Sequence, residues 1–238
     1  MNNMEYQSEI KTKKGRLIII SGPAGSGKGT VVKLLLAKHP EIKLSVSMTT
    51  RVPRPGEVEG VNYYYTTKHD FKQRIRKKEF LEYAKYNKNF YGTLVSEVKS
   101  RLDSGTDVVL EIEVKGAMKI RDLFPEATFI MLTPPDAEIL EKRLRGRGTE
   151  KERDIRRRLK RAKKEILLLP EYDYSVVNED GAAEKCAELV YSIILAVHWL
   201  NDSEGETSEV VGEELTEHIK RAEDRRTENT KNIIAKFK

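Results

Sequence analysis

Four short apolar runs alternate along the chain with segments of helical periodicity. The runs cover residues 17–21, 108–112, 129–132 and 175–177, and their continuous apolar character is typical of strands buried on both faces. Residues 30–39 and 182–200 instead repeat apolar positions at the spacing of an amphipathic helix. Strands that alternate with helices predict an α/β fold, in which right-handed crossovers build a parallel sheet flanked by helices.

Two segments interrupt this alternation. Residues 47–96 are rich in Tyr, Thr, Arg and Pro, as an inserted substrate-binding subdomain would be, and residues 141–164 form a basic stretch. The chain after residue 201 is acidic and polar, which is typical of a linker. For residues 210–238, the sparse apolar positions leave a charged helix and disorder equally open.

The composition narrows the class of protein. The chain has 238 residues, of which 38% are hydrophobic and 34% charged, so it can bury a sizeable core. No apolar run approaches the roughly 18 residues of a membrane span, and residues 1–14 lack the apolar stretch of a secretion signal. Cys186 is the single cysteine, which fits a reducing compartment, and the four histidines lack metal-ligand spacing. We therefore expect a cytoplasmic protein with no membrane contact and no zinc site.

The positive charge is concentrated in one segment. The net charge is +6, and residues 142–164 alone carry thirteen basic and three acidic side chains. Such a field indicates an anionic partner without identifying it. Because no recognised nucleic-acid motif accompanies the charge, we expect no nucleic-acid partner and consider nucleotide phosphates instead.

The first apolar run leads directly into a glycine-rich loop and then into a helical pattern. Backbone N–H groups of such a loop surround phosphate oxygens, the helix N-terminus favours negative charge, and the lysine reaches the β- and γ-phosphates. This context predicts ATP binding. The residues are Gly22, Pro23, Ala24, Gly25, Ser26, Gly27, Lys28, Gly29 and Thr30.

One position of this loop departs from the usual pattern. Gly29 follows Lys28, where Ser or Thr would normally reach Mg²⁺. Two arrangements stay open, because either Thr30 takes that role or water molecules complete the coordination shell of the metal.

Downstream of the loop, the chain resembles the guanylate kinases. The motifs that carry the resemblance lie at residues 45–57, 60–63, 79–82, 90–93, 110–113, 145–149 and 177–178, in the order and spacing of that family. The resemblance covers about residues 14–200. It implies a P-loop nucleoside monophosphate kinase fold with inserted NMP-binding and lid subdomains, which uses ATP and Mg²⁺ to convert GMP to GDP.

The resemblance also implies a division of the chain. Residues 1–13 would be a flexible leader, 14–200 the kinase domain and 201–238 a charged C-terminal tail. Within the domain, the core would comprise residues 14–46, 97–140 and 165–200, with the GMP-binding subdomain at 47–96 and the lid at 141–164.

The GMP-binding residues implied by the resemblance suit the chemistry of GMP. Guanidinium and phenol groups can donate to a phosphate dianion, and a pair of carboxylates can accept from the N–H groups of guanine, which adenine lacks at N1. The implied residues are Ser47, Arg51, Arg54, Glu57, Tyr63, Glu82, Tyr91, Thr93 and Glu113.

Two positions near the base depart from the family pattern. Glu113 stands where the family usually has Asp, and Lys115 stands where it usually has Gln. The longer carboxylate either reaches the guanine amino group from a more distant backbone or holds the base less firmly.

The basic stretch matches the mobile lid of the family, with Arg143, Arg145, Arg147, Arg157 and Arg158. Phosphoryl transfer requires alignment of the reactants and neutralisation of charge, which closing arginines can supply. We expect Lys28, Arg51, Arg147 and Arg158 to be the catalytic residues.

Two further side chains lie at strand ends. The resemblance places Asn178 near the adenine of ATP, and Glu111 could orient the waters of Mg²⁺.

Other functions stay open from the sequence. A non-catalytic guanylate-kinase-like module that binds phosphopeptides would have a degraded phosphate loop, whereas Gly27 and Lys28 are intact here. A kinase for another small phosphate ester would not need Glu82 beside Ser47. The sequence does not decide whether the chain forms a homo-oligomer.

Overall fold

The computed structural model describes residues 14–86, 88–146, 152–202 and 228–237. The strands are β1 Leu17–Ser21, β2 Lys43–Leu44, β3 Met48–Thr49, β4 Tyr64–Tyr65, β5 Phe80–Tyr86, β6 Asn89–Leu94, β7 Val108–Glu111, β8 Thr128–Thr133 and β9 Tyr174–Val177. The helices are α1 Lys28–Lys38, α2 Lys68–Arg76, α3 Val95–Asp103, α4 Val114–Arg121, α5 Ala137–Arg145, α6 Glu152–Ile166, α7 Ala183–Asp202 and α8 Glu228–Ala235. A 3-10 helix, Leu169–Glu171, lies between α6 and β9.

The main sheet has five parallel strands in the order β2-β7-β1-β8-β9. The four predicted strands are all present, so the predicted α/β class is confirmed. The sequence pattern missed β2, because its two residues, Lys43 and Leu44, are exposed at the sheet edge and form no apolar run.

Side chains of the central strand β1 divide between two apolar clusters. Leu17 and Ile19 pack on the face covered by α4, α5 and α6, while Ile18 and Ile20 pack on the face covered by α1 and α7. Burial on both faces explains the unbroken apolar run. Parallel strands also bring their carboxyl ends to one edge, where loops from β1, β7 and β9 meet.

A second sheet is built from residues within the 47–96 segment. Its four strands have the order β4-β3-β6-β5, with β6 antiparallel to both β3 and β5. On α2, Phe71 is fully buried and stacks on Phe80 and Phe90, which gives this sheet an apolar cluster of its own.

The basic stretch 141–164 spans the end of α5 and most of α6. Arg147, one of the expected catalytic residues, falls outside the described residues. Among the helices that the structure describes, none is both long and apolar enough to cross a membrane.

Helix α8 lies within the stretch for which helix and disorder were both open. It packs against the 3-10 helix, and Ile233 and Phe237 are only 3% and 4% exposed. Both side chains belong to the apolar cluster that contains Ile166 and Tyr172. This part of the C-terminal region is therefore attached to the core.

Candidate active site

The glycine-rich loop lies at the carboxyl end of β1, directly before α1. Gly27 has a φ of +88°, and a Cβ atom there would lie 2.3 Å from Nδ2 of Asn178. Only glycine fits this position without displacing Asn178. The first turn of α1 contains no acidic residue, so its N–H groups and helix dipole can receive an anion.

Lys28 is held inside this loop. Its side chain is 9% exposed, and Nζ donates to the carbonyl oxygens of Gly22 at 2.7 Å and Pro23 at 3.3 Å. Burial lowers the pKa of Lys28, while the carboxylates of Glu113 and Glu111 oppose that shift. The charges of these two carboxylates therefore favour the cationic form of Lys28 against the effect of burial.

Asn178 supports the loop from the end of β9. Its Nδ2 donates to the backbone oxygen of Ser26 at 2.8 Å, and the residue is buried. The Oδ1 atom of Asn178 and the Oγ atom of Ser26 are also buried, and neither has a hydrogen-bond partner within the described part of the chain.

Oxygen atoms that could serve a metal flank the first turn of α1. A Cβ atom on Gly29 would lie 3.5 Å from Oε1 of Glu111, and Thr30 is exposed on the same turn. Burial raises the pKa of Glu111, and the charge of Lys28 opposes this. The described residues contain no cluster of three or more His, Cys, Asp or Glu side chains suited to a metal. Two oxygen donors fit Mg²⁺ when phosphates and water supply the remaining ligands.

Arg51 lies close to two tyrosines, Tyr63 and Tyr91, that the family resemblance grouped with it. Its guanidinium carbon lies 5.4 Å from the centre of the Tyr63 ring, which meets the Tyr91 ring edge-on at 6.0 Å. Nη2 of Arg51 donates to both oxygens of Glu57, at 2.8 and 2.9 Å. Arg51, Tyr63 and Tyr91 therefore converge.

Glu57 is the acceptor at the centre of this loop. Besides Arg51, the backbone N–H of Arg54 and the hydroxyl of Tyr65 each donate to its Oε2 at 2.8 Å. These bonds, that of Arg51 foremost, lower the pKa of Glu57 to about 2. The Arg54 side chain itself is exposed.

Glu82 lies where β5 meets helix α4, in a group with Thr93 and Gly116 that we call the acceptor pocket. It lies opposite Thr93 across β5 and β6, and Thr93 Oγ1 donates to Glu82 Oε1 at 3.4 Å. Burial raises the pKa of Glu82 to about 7, although Thr93 and the charge of Lys119 oppose this. Ser47 is half-buried between β2 and β3.

Gly116 allows Glu82 to approach helix α4. A Cβ atom at this glycine would lie 3.3 Å from Oε2 of Glu82, so a larger residue would crowd the carboxylate. The backbone oxygen of Glu113, the N-terminal cap residue of α4, accepts from the N–H of Gly116 at 2.8 Å. Glu82 and Glu113 thus lie at the same end of α4.

The sequence missed two residues that contact this region. Nη2 of Arg161 donates to Oε2 of Glu113 at 3.0 Å, and its Nε donates to Oε1 of Glu165 at 2.7 Å. The four-residue spacing of Arg161 and Glu165 could have indicated their pairing on a helix. No local pattern could have indicated the contact with Glu113, 48 residues earlier.

Several arginines of the basic stretch have acidic partners. Arg143 donates to Oδ1 of Asp180 and to the backbone oxygen of Asn178, which connects α5 with the loop after β9. Arg145 forms ion pairs with Glu141 and Glu152, and Nη2 of Arg157 lies 2.9 Å from Oδ1 of Asp154. Arg158 is half-buried on α6.

Known proteins provide an independent comparison. The family model described as guanylate kinase matches residues 14–195. A guanylate kinase from Halalkalibacterium halodurans is 47% identical over 189 residues, which is 79% of this chain and 92% of that protein. One from Clostridioides difficile strain 630 is 51% identical over 168 residues, 71% of this chain and 82% of that protein.

A solved structure agrees with these matches. The crystal structure of guanylate kinase from Anaplasma phagocytophilum has a TM-score of 0.59 and 29% identity, covering 89% of this chain and 97% of that one. Since the family model spans most of the chain and the relatives are about half identical over most of its length, this chain belongs to the guanylate kinase family.

Proposed function

We propose that the residues described above transfer the γ-phosphoryl group of ATP to the phosphate of GMP, giving ADP and GDP. One observation carries the assignment to this site. The N-terminal end of α4 approaches Glu82 in the acceptor pocket at Gly116, and the charge of Glu113 at the same end of the helix raises the pKa of Lys28 in the phosphate loop against the effect of burial. A purine monophosphate in the pocket would therefore direct its phosphate toward the phosphates of ATP.

The glycine-rich loop is proposed to bind the triphosphate of ATP. Its N–H groups and Lys28 would surround the β- and γ-phosphates, and Lys28 would exchange its two carbonyl acceptors for phosphate oxygens. Asn178 would keep the loop in shape through Ser26, so its effect on the adenine would be indirect.

Thr30 and Glu111 are the residues proposed to receive Mg²⁺, directly or through water. When bound, the ion neutralises charge on the β- and γ-phosphates and so lowers the repulsion met by the attacking oxygen. Glu111 is well placed for this role because its carboxylate already reaches the first turn of α1.

Arg51, Arg54, Tyr63 and Tyr91 are proposed to bind the GMP phosphate. Glu57 was also expected to bind GMP, but a carboxylate would repel a phosphate dianion. Because Glu57 holds the Arg51 guanidinium from one side, we assign it the role of orienting Arg51.

Glu82, Glu113, Ser47 and Thr93 are proposed to bind guanine. An ionised Glu82 can accept from N1–H or from the amino group, and Thr93 already donates to it. Adenine offers no donor at N1, so its binding would leave a buried carboxylate unpaired, at a cost of about 1–3 kcal/mol or more.

The attacking atom is an oxygen of the GMP phosphate, which is largely a dianion near neutral pH, so no general base is required. The oxygen forms a bond to the γ-phosphorus while the bond to the bridging oxygen of ADP breaks. The lid residues Arg147 and Arg158 are proposed to neutralise the transferred group, assisted by Arg143, Arg145 and Arg157. Their closure would exclude water.

An assay of ADP release tests the proposal. With ATP and Mg²⁺, GMP should support turnover about 10³-fold above AMP, UMP and CMP, because the acceptor pocket rejects bases without the matching donors. Lys28→Ala should lower kcat by about 10³-fold, whereas Lys33→Ala, an exposed position of α1, should leave it within about twofold.

Two outcomes would overturn the assignment. Equal turnover with AMP and GMP would remove Glu82 and Glu113 from base recognition. A folded wild-type protein that binds GMP but consumes no ATP would instead favour the non-catalytic binding module.

The cytoplasmic location, the domain boundaries and the absence of nucleic-acid partners stay predictions.

A further inference from the structure

Arg161 bridges two carboxylates that come from different parts of the chain. One belongs to Glu165, a turn later on α6, and the other to Glu113 at the start of α4. The separate Nε and Nη2 atoms of one guanidinium make these two bonds, an arrangement that the single ammonium group of lysine cannot reproduce.

The ion pair with Glu165 fixes the position of the Arg161 guanidinium. The Glu165 side chain is only 10% exposed, while that of Arg161 is 55% exposed. Burial raises the pKa of Glu165, and the charge of Arg161 opposes that shift most strongly. Since a buried carboxylate needs its cation, the guanidinium is held in place and presents its other edge to Glu113.

Glu113 depends on Arg161 for its orientation. Its side chain is 55% exposed and does not cap α4 through a hydrogen bond. No other hydrogen bond to its carboxylate is found among residues 14–86, 88–146, 152–202 and 228–237. Glutamate also has one more rotatable bond than aspartate, so more conformational freedom must be lost when the carboxylate is held.

Helices α4 and α6 are separated by a cleft at this point. Its volume is about 590 Å³, and Val114, Met118 and Leu168 line it together with Arg161. Because apolar packing does not close this space, the ion pair between Glu113 and Arg161 provides a direct connection across it.

We infer that Arg161 is a positioning residue for guanine recognition: it holds the Glu113 carboxylate ready for the base and couples the GMP pocket to helix α6. The inference rests on the proposed function, in which Glu113 faces guanine. Loss of Arg161 therefore affects GMP more than ATP, because Glu113 must be ordered again each time GMP binds.

Steady-state kinetics with Arg161→Ala and Arg161→Lys test this role. Both variants should raise KM for GMP by about three- to tenfold, with kcat and KM for ATP changing less than about twofold. Arg161→Lys keeps a cation beside Glu165 and guards against a failure to fold. Arg156→Ala is the matched control, since it removes an i,i+4 pair with Glu152 on the same helix, and it should leave KM for GMP unchanged.

A double-variant cycle separates this role from a structural one. Glu113→Ala should raise KM for GMP, and adding Arg161→Ala to it should cause no further increase, because the two residues act through one contact. Additive increases in the double variant, or equal effects on GMP and ATP, would overturn the role of Arg161 alone. An unchanged KM in Glu113→Ala would overturn both this role and the assignment of Glu113 to guanine.

Discussion

Burial of the Glu82 side chain bears on the guanine recognition that we propose for it. The pKa of Glu82 is raised to about 7, chiefly because the carboxylate is removed from water. In the proposed function, the same burial would strengthen the hydrogen bonds that an ionised Glu82 accepts from guanine N–H groups. We therefore expect ionisation of Glu82 to cost less free energy when a hydrogen-bond donor of the substrate binds beside it.

We predict that kcat/KM for GMP decreases as the pH falls through about 7, because protonated Glu82 loses its acceptor charge. The GMP phosphate adds an ionisation near pH ~6 of its own. Glu82→Gln should remove the first ionisation and keep the second. Profiles of kcat/KM at saturating ATP measure this, and identical profiles for both proteins would contradict it.

The stability of the wild-type protein provides a second test of Glu82. The folded-state pKa of Glu82 is about 7, above the value of 4.5 for an exposed carboxyl group. The contribution of Glu82 to the free energy of unfolding is therefore complete below pH 4.5 and is lost as the pH rises through 7. Glu82→Gln should lack this loss. Urea unfolding at acidic and at alkaline pH measures this difference. Glu82→Gln should be more stable than the wild-type protein only at high pH.

Helix α8 is an element whose contribution could not be inferred from its composition. Residues 210–238 are highly charged, yet Ile233 and Phe237 enter the main apolar cluster. The helix also lies beyond residues 14–195, which match the family model. It packs on the 3-10 helix that follows α6.

We predict that Phe237→Ala lowers the free energy of unfolding by about 3 kcal/mol, because it removes a buried aromatic ring. Turnover should persist, as is also expected when residues 201–238 are deleted. Lys236→Ala, an exposed position beside it, should change stability by less than about 0.5 kcal/mol. Urea unfolding measures both, and equal stabilities would show that α8 does not contribute to the core.

At the scale of the whole molecule, four cations in or beside the proposed site have partners within the protein. Lys28 is bound to loop carbonyls, Arg51 to Glu57, Arg143 to Asp180 and Arg161 to Glu113. These contacts place an acceptor beside each of the four charges. In the proposed function, Lys28 would exchange its carbonyl acceptors for phosphate oxygens, which limits the net free energy of that contact to the difference between the two, while Glu57 and Glu113 would stay bound to their arginines.

We predict that GMP raises the unfolding temperature more than guanosine does, because only GMP engages Arg51 and the tyrosines around it. At about 100 times its Kd, a ligand stabilises the folded state by about 2.7 kcal/mol. The difference between GMP and guanosine should shrink in high salt, since Arg51 and Arg54 are accessible to ions. Equal temperature shifts at matched concentrations would place the phosphate elsewhere.

Local sequence was sufficient for the features made by neighbouring residues. An apolar run predicted β1, the glycines and Lys28 that follow predicted an anion-binding loop, and the next apolar spacing predicted α1. Each depends on contacts within a few residues, for which backbone geometry and periodicity carry the information. The resemblance to guanylate kinases then grouped Arg51 with Tyr63 and Tyr91, which do converge.

Contacts between residues that are distant in the sequence could be identified only from the tertiary structure. Asn178 donates a hydrogen bond to Ser26, which lies 152 residues earlier in the sequence, and Arg161 donates one to Glu113, which lies 48 residues earlier. The high pKa of Glu82 likewise arises from burial against neighbours on other elements. The pattern of apolar positions in the sequence does not indicate which side chains at the strand ends contact each other or which carboxylate is buried away from water. Both are determined by the packing of distant elements.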